Sequence, residues 1–267
     1  MQVPIMHRSF LVRFTLAFLA LFLAISVCHA QTADELNKQS KDLLAKRDFK
    51  AAIPMLKQAA EMGSPEAQYN YGYCYMKGIE VTRDDSIGMI WIIKAARQGW
   101  VDAQRSAGIS FASGRGVSKD LEQAFYWSLQ CAKNGNIECM WSVVSCYSDG
   151  IGTVQNADSA VNWAIRLGSQ KEPANMKLCN ILTTARANLA GIYRDARNDN
   201  LKSYMWYLIY NEYKMSISGD DQQKNIDSIN ELERLLSPGQ KEKARKDAET
   251  LLGRELKNLA NLHNKDI

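Results

Sequence analysis

Histidine is scarce in this chain of 267 residues: there are three, and two of them, His7 and His29, fall within the first thirty positions. Beyond residue 30 the only imidazole is His263, four residues from the C-terminus, a place that fits a solvated end. Ser-His-Asp and Cys-His chemistry need an imidazole beside the nucleophile, so that class of enzyme is disfavoured at once. Zinc needs clustered Cys and His ligands; Cys131, Cys139 and Cys146 are not spaced like a ribbon, and no fourth ligand accompanies them. Paired carboxylates must converge in a cleft. Asp84, Asp85, Asp120 and Glu122 instead sit where helices are expected to start, and there an acid favours the helix dipole. No serine has a lysine three residues on, which removes the Ser-x-x-Lys acyl-transfer motif. We expect no catalytic residue, no metal and no cofactor.

Long apolar runs are also missing, with one exception. Phe14 to Val27, FTLAFLALFLAISV, follows a start carrying Arg8 and Arg13 and no acid, and leads to small residues at Cys28 and Ala30. A basic region, a short apolar region and a small-residue site read as a secretory signal peptide. The run is short for a membrane span, which takes about 20 apolar residues. Cleavage is expected after Ala30. The rival is a lipoprotein anchored through Cys28, where Val27 would stand in place of the usual small residue. The expected mature chain loses two arginines, keeping 31 basic against 29 acidic residues for a net charge of +2. The basic residues are dispersed, so no nucleic-acid surface is expected, nor a stable membrane span in the mature chain.

What is present is a repeat. Trp91, Trp127 and Trp163 are 36 residues apart, as are Tyr75, Phe111 and Tyr147, then Gly78, Gly114 and Gly150, then Gly63, Gly99 and Gly135. Each unit opens with about three helical turns (AQYNYGYCYMKG, AQRSAGISFASG, CMWSVVSCYSDG) and closes them on a glycine, which tolerates the left-handed cap. Asp84, Asp120 or Asn156 then caps a second helix. A small residue, Gly88, Ala124 or Ala160, stands three before each tryptophan and allows close helix approach. The stretch GRGVSKDLEQAFYW, from Gly114, has the paired glycines of a phosphate loop. But Gly114 and Gly116 recur as Gly150 and Gly152, and no Gly-Lys-Ser/Thr follows, so the glycines belong to helix–helix turns.

The series Ala…Gly…Tyr…Gly-x-Gly-Val…Asp…Ala-x-x-Trp…Ala-Ala…Gly, fullest from Ala103 to Gly135, resembles the Sel-1-like repeat, a relative of the tetratricopeptide repeat. Glu80, Val144 and Thr153 depart from the pattern. The resemblance implies an all-α, right-handed superhelical solenoid of stacked antiparallel helix pairs. The expected organisation is a signal peptide at 1–30 and a tetratricopeptide-like cap at 31–66. Repeats follow at 67–102, 103–138 and 139–170, then a degenerate fourth unit with an insertion at 171–216 and C-terminal helices at 217–267. In the fourth unit Tyr193 follows Tyr147 by 46 residues and Trp206 follows Tyr193 by 13. Ile226, Ile229, Leu232 and Leu236 form one apolar stripe; after the Ser237-Pro238 start, Ala244 to Leu259 form another.

Five cysteines follow the expected leader, an odd number that leaves a thiol unpaired. Cys131 and Cys139 take the places of Ala95 and Ala103, where small residues imply close backbones of the kind a disulfide requires. Their spacing resembles the bridges of cysteine-rich secreted members of the family, which implies a Cys131–Cys139 bond; the other reading is two buried thiols. Cys74 and Cys146 read as buried small residues, and a Cys146–Cys179 bond has no support in the pattern.

At 100° per residue, the first, fifth, eighth and ninth positions of each first helix form the core face. The third, seventh and tenth point away and hold Tyr69, Tyr73 and Met76, then Arg105, Ile109 and Ala112, then Trp141, Ser145 and Ser148. First helices line the concave surface of such solenoids, and aromatics and arginine are common anchors. Tyr69, Tyr73, Met76, Arg105, Ile109 and Trp141 are therefore the candidate binding residues, against the alternative that some cover the neighbouring repeat. The expected function is a non-enzymatic adaptor in the bacterial envelope, in the periplasm, secreted or lipid-anchored. It would hold a protein or peptide partner in the groove, in an immunity or regulatory role. The alternative is a cell-wall or β-lactam ligand binder or hydrolase, as some cysteine-rich relatives imply. The pattern fixes no oligomeric state.

Overall fold

A computed structural model describes residues 31–212 and 219–264. The expected leader, with Cys28 and its cleavage site, lies outside the described residues. Among the described residues there are twelve α-helices, one 3-10 turn and no strand. The described residues fall into two compact units that divide between Ala95 and Ala96.

The first unit holds α1 (Ala33–Ala45), α2 (Phe49–Glu61), α3 (Pro65–Lys77) and most of α4 (Asp85–Arg97). Each start is chemically marked. Thr32 and Glu35 form a reciprocal capping box, Asp48 caps α2, and Ser64 caps α3 with Pro65 at its first position. Gly78 closes α3 at φ 70°. Leu36, Leu56, Ala59, Ala60, Tyr71 and Cys74 are buried together, and Tyr71 meets Tyr75 and Trp91 edge-on at 5.2 and 5.4 Å. The α3–α4 crossing is set by glycine. A Cβ on Gly72 would lie 2.7 Å from the Gly88 carbonyl, and one on Gly88 2.8 Å from the Gly72 carbonyl.

The second unit continues the pairs with α5 (Val101–Ser113), α6 (Leu121–Lys133), α7 (Ile137–Asp149), α8 (Ala157–Gly168), α9 (Met176–Asp195) and α10 (Asn200–Asn211). It ends with α11 (Gly219–Leu235), α12 (Pro238–Leu252) and the 3-10 turn Leu259–Asn261. The same turn recurs along the chain. The N–H groups of Asp84, Asp120, Asn156 and Asp199 donate to the carbonyls of Tyr75, Phe111, Tyr147 and Tyr193 at 2.8–3.0 Å. The side chain of each of these four residues caps the helix that follows. The fourth turn keeps this bond although it is three residues shorter.

The junction between one pair and the next also repeats, through the residue after each leading alanine. Gln68 Nε2 donates to the Ala60 carbonyl at 3.1 Å and Gln104 Nε2 to the Ala96 carbonyl at 3.3 Å, the same bond in successive units. At the third junction the position holds Met140, fully buried, which cannot make the bond. That junction carries the Cys131–Cys139 disulfide instead, with Cα atoms 5.8 Å apart. At the fourth the position is Arg186, also fully buried; its Nε donates to the Gly168 carbonyl at 2.9 Å. Its Nη2 donates to the Gln170 carbonyl at 3.0 Å and pairs with Glu172 at 2.9 Å. Arg186 thus carries the bond and also pins the link 169–175, where part of the insertion lies. The rest lengthens α9 to 20 residues.

The last apolar stripe is not one helix, as its spacing suggested. Gly253 adopts φ 65° and ends α12 at Leu252. Leu256 and Leu259 turn back and pack on the core of α10, α11 and α12. Glu212 anchors that return. Its carboxylate accepts from the N–H groups of Lys257 and Asn258 at 2.9 and 2.8 Å and pairs with Arg254 at 2.7 Å.

Candidate functional site

The six candidate binding residues divide between the two units. In the first, Tyr73 is 45% exposed, with Lys77 Nζ 5.5 Å from its ring centre, and Tyr69 is half-buried. Met76 is a correction: it is 8% exposed, and its Cγ lies 2.6 Å from where a Cβ on Gly88 would stand. The side chain fills the space that Gly88 leaves, so the tenth position turns into the α3–α4 contact rather than away from it.

In the second unit Ile109 is 58% exposed, the most open of the six. Arg105 is paired: its Nη1 lies 3.2 Å from Glu138, whose other oxygen accepts from Lys177 at 2.6 Å. The pair links α5, α7 and α9. The Lys177 hydrogen bond, with help from the Arg105 charge, holds the Glu138 carboxyl below its usual range. Trp141 is half-buried and packs on the cluster of Cys139, Met140 and Leu182, so much of its indole serves the core. The structure brings Arg105, Ile109 and Trp141 onto neighbouring first helices of one unit. Tyr69 and Tyr73 form the corresponding face of the other.

Sequence spacing passed over the same face in the fourth unit. With Tyr193 matched to Tyr147, the third and seventh positions are Ala187 and Gly191, too small to attract notice. In space they line a cleft of about 630 Å³ between α9 and α11.

The groups that could do chemistry lie elsewhere. His263 Nε2 is 3.4 Å from Glu233, and the Tyr204 hydroxyl donates to the same carboxylate at 2.8 Å. Burial and that bond hold the Tyr204 proton above the usual phenol range. The 440 Å³ cavity around them is lined also by Lys241, Glu242 and Arg245, with no serine, threonine or cysteine among its described lining residues. Cys74, Cys146 and Cys179 are free. Burial pushes the Cys74 thiol up to about 11, away from the reactive thiolate. No group of three metal-ligating side chains occurs among the described residues, and no described helix is long and apolar enough to cross a membrane.

The Sel1 repeat model matches residues 41–64, 65–100, 101–136 and 139–171. No curated protein matches the sequence. Among solved structures, a Sel1 repeat protein from Oxalobacter formigenes is similar at 21% identity and TM-score 0.60, covering 84% of this chain and 87% of that one. A protective antigen of uropathogenic Escherichia coli displaying an SLR fold is more distant, at 19% identity, TM-score 0.33, and 77% and 61% of the two chains. The apo quorum sensor NprR of B. thuringiensis matches at 13% identity, TM-score 0.35, and 96% and 76%. The likeness to the Oxalobacter formigenes protein supports the helical-repeat fold. Four matched units, three of them built on the same turn bond, make this chain a Sel1-repeat protein.

Proposed function

We propose that this protein is an exported scaffold that holds a protein or peptide partner on its first-helix faces in the bacterial envelope. Sel1-repeat proteins are generally protein-interaction scaffolds, and that general role is the frame of the reading. The observation that carries it is Ile109. It is a large apolar side chain at 58% exposure in a helix whose neighbours Ala103, Ala107 and Gly108 are buried. Tyr73 repeats the feature in the first unit, one period earlier. Exposed apolar anchors ringed by polar groups are what a partner buries. The basic and apolar start of the chain supports export. Among the described residues, no metal-ligating group of three argues for catalysis as the main role.

The test is retention of a partner from envelope extract by the parent protein and by a Tyr73→Asp/Ile109→Asp variant of unchanged helicity. The reading predicts a protein held by the parent and lost by the variant. Equal retention would move the interface off the first helices.

A further inference from the structure

We propose that the cleft between α9 and α11 is a separate subsite that binds a short extended peptide segment carrying a carboxylate. It deepens the scaffold reading and rests on it. The first argument is a glycine that the fold does not need. Gly72, Gly88 and Gly108 are each forced by a neighbouring atom within 3 Å of where a Cβ would stand. Gly191 is not: a Cβ there meets nothing within 4 Å, and its backbone is ordinary right-handed helix. Glycine inside a helix is less favourable than alanine. Here it leaves, beside Ala187, a floor almost without side chains, where another main chain can come close.

The second argument is the walls. Thr184 and Asn188 rise from α9 and Lys224 and Asn225 from α11. Among the described residues, Asn188, Lys224 and Asn225 make no side-chain hydrogen bond or ion pair, so their hydrogen-bonding groups face the cleft uncommitted. Each amide carries both donors and an acceptor, the complement of a peptide main chain. The volume, about 630 Å³, suits a ligand of a few residues. The only aromatic side chain of the described lining, Tyr207, is 2% exposed, so the described lining offers no open ring face for a base or sugar to stack on.

The third argument is charge. Asp195 at the rim is already paired with Arg194, Nε to Oδ1 at 2.7 Å, and Arg194 also donates to Ser228. Of the two charged side chains in the described lining, Asp195 is thus paired and Lys224 is the one open to an anionic ligand. A peptide carboxylate, from the chain end or an acidic residue, supplies it.

The probes are tetra-alanine, its C-terminal amide and the tetramer of N-acetylglucosamine, followed by saturation-transfer NMR with the whole protein. Gly191→Leu is the blocking variant; the open space and the helix propensity of leucine predict an unchanged or raised Tm. Tetra-alanine should bind the parent, lose binding in Gly191→Leu, and weaken at least about fivefold in Lys224→Ala or as the amide. Absence of tetra-alanine binding, binding undiminished by Gly191→Leu, or preference for the sugar would overturn the proposal. A partner lost by Tyr73→Asp/Ile109→Asp but kept by Gly191→Leu would remove the cleft and leave the scaffold. A partner indifferent to both would remove both.

Discussion

Two backbone positions show how individual residues set this fold. Gly116 and Gly152 occupy the left-handed region at φ 73° and 66°, and the matching residue of the first repeat, Glu80, is held there at φ 52° without being glycine. The left-handed conformation costs an L-residue about 1–2 kcal/mol, so Glu80→Gly should raise the denaturant midpoint by the equivalent of about 1 kcal/mol. Gly72→Ala should do the reverse. Its methyl would meet the Gly88 carbonyl at 2.7 Å, and the helix shift needed to relieve it costs about 1–3 kcal/mol. Glu138 adds a pH dependence. Its folded pKa is depressed, so its contribution is present above the ordinary glutamate pKa and lost as pH falls through the folded value. Glu138→Gln should therefore lower stability at pH 7 by at most about 1 kcal/mol. Urea melts should show the deficit fading toward pH 3. The turn glycines and caps were legible in the sequence because a cap or a positive φ restricts residue type so sharply. Met76 was not, because a 100° projection places it outward while Gly88 opens a space that draws it in.

At the scale of elements, the repeated carbonyl bond is the unit of stacking. Three chemistries serve it: glutamine at two junctions, a disulfide where Met140 cannot donate, and buried Arg186 where the link is longer. Replacing Cys131 and Cys139 with alanine should cost roughly 2–3 kcal/mol by loop-closure entropy. Adding Met140→Gln to that variant should recover about 1 kcal/mol, the worth of a hydrogen bond; no recovery would break the equivalence between bridge and bond. Arg186→Met strands Glu172 and two carbonyls and should cost about 3–5 kcal/mol in the same melts. The bridge was foreseeable because small residues mark close backbones. The role of Arg186 was hidden by the insertion: only matching Tyr193 to Tyr147 aligns it with Gln68 and Gln104. The cleft was hidden for a related reason, since Ala187 and Gly191 signal nothing until α11 stands across from them.

On the scale of the whole molecule, the periodicity specified an all-helical repeat fold because its landmarks recur at a fixed interval. It ran out at the C-terminal end, where Gly253 folds the last stripe back on itself. A scaffold should leave its first helices open and its second helices dispensable for capture. Hydroxyl-radical footprinting of the protein with its retained partner tests that most directly. Tyr73 and Ile109 report on first helices, while Ile90 and Tyr126, 55% and 48% exposed, report on second helices as internal controls. The account predicts that oxidation of Tyr73 and Ile109 falls several-fold on binding while Ile90 and Tyr126 are unchanged. Protection of Ile90 and Tyr126 with Tyr73 and Ile109 still reactive would contradict it.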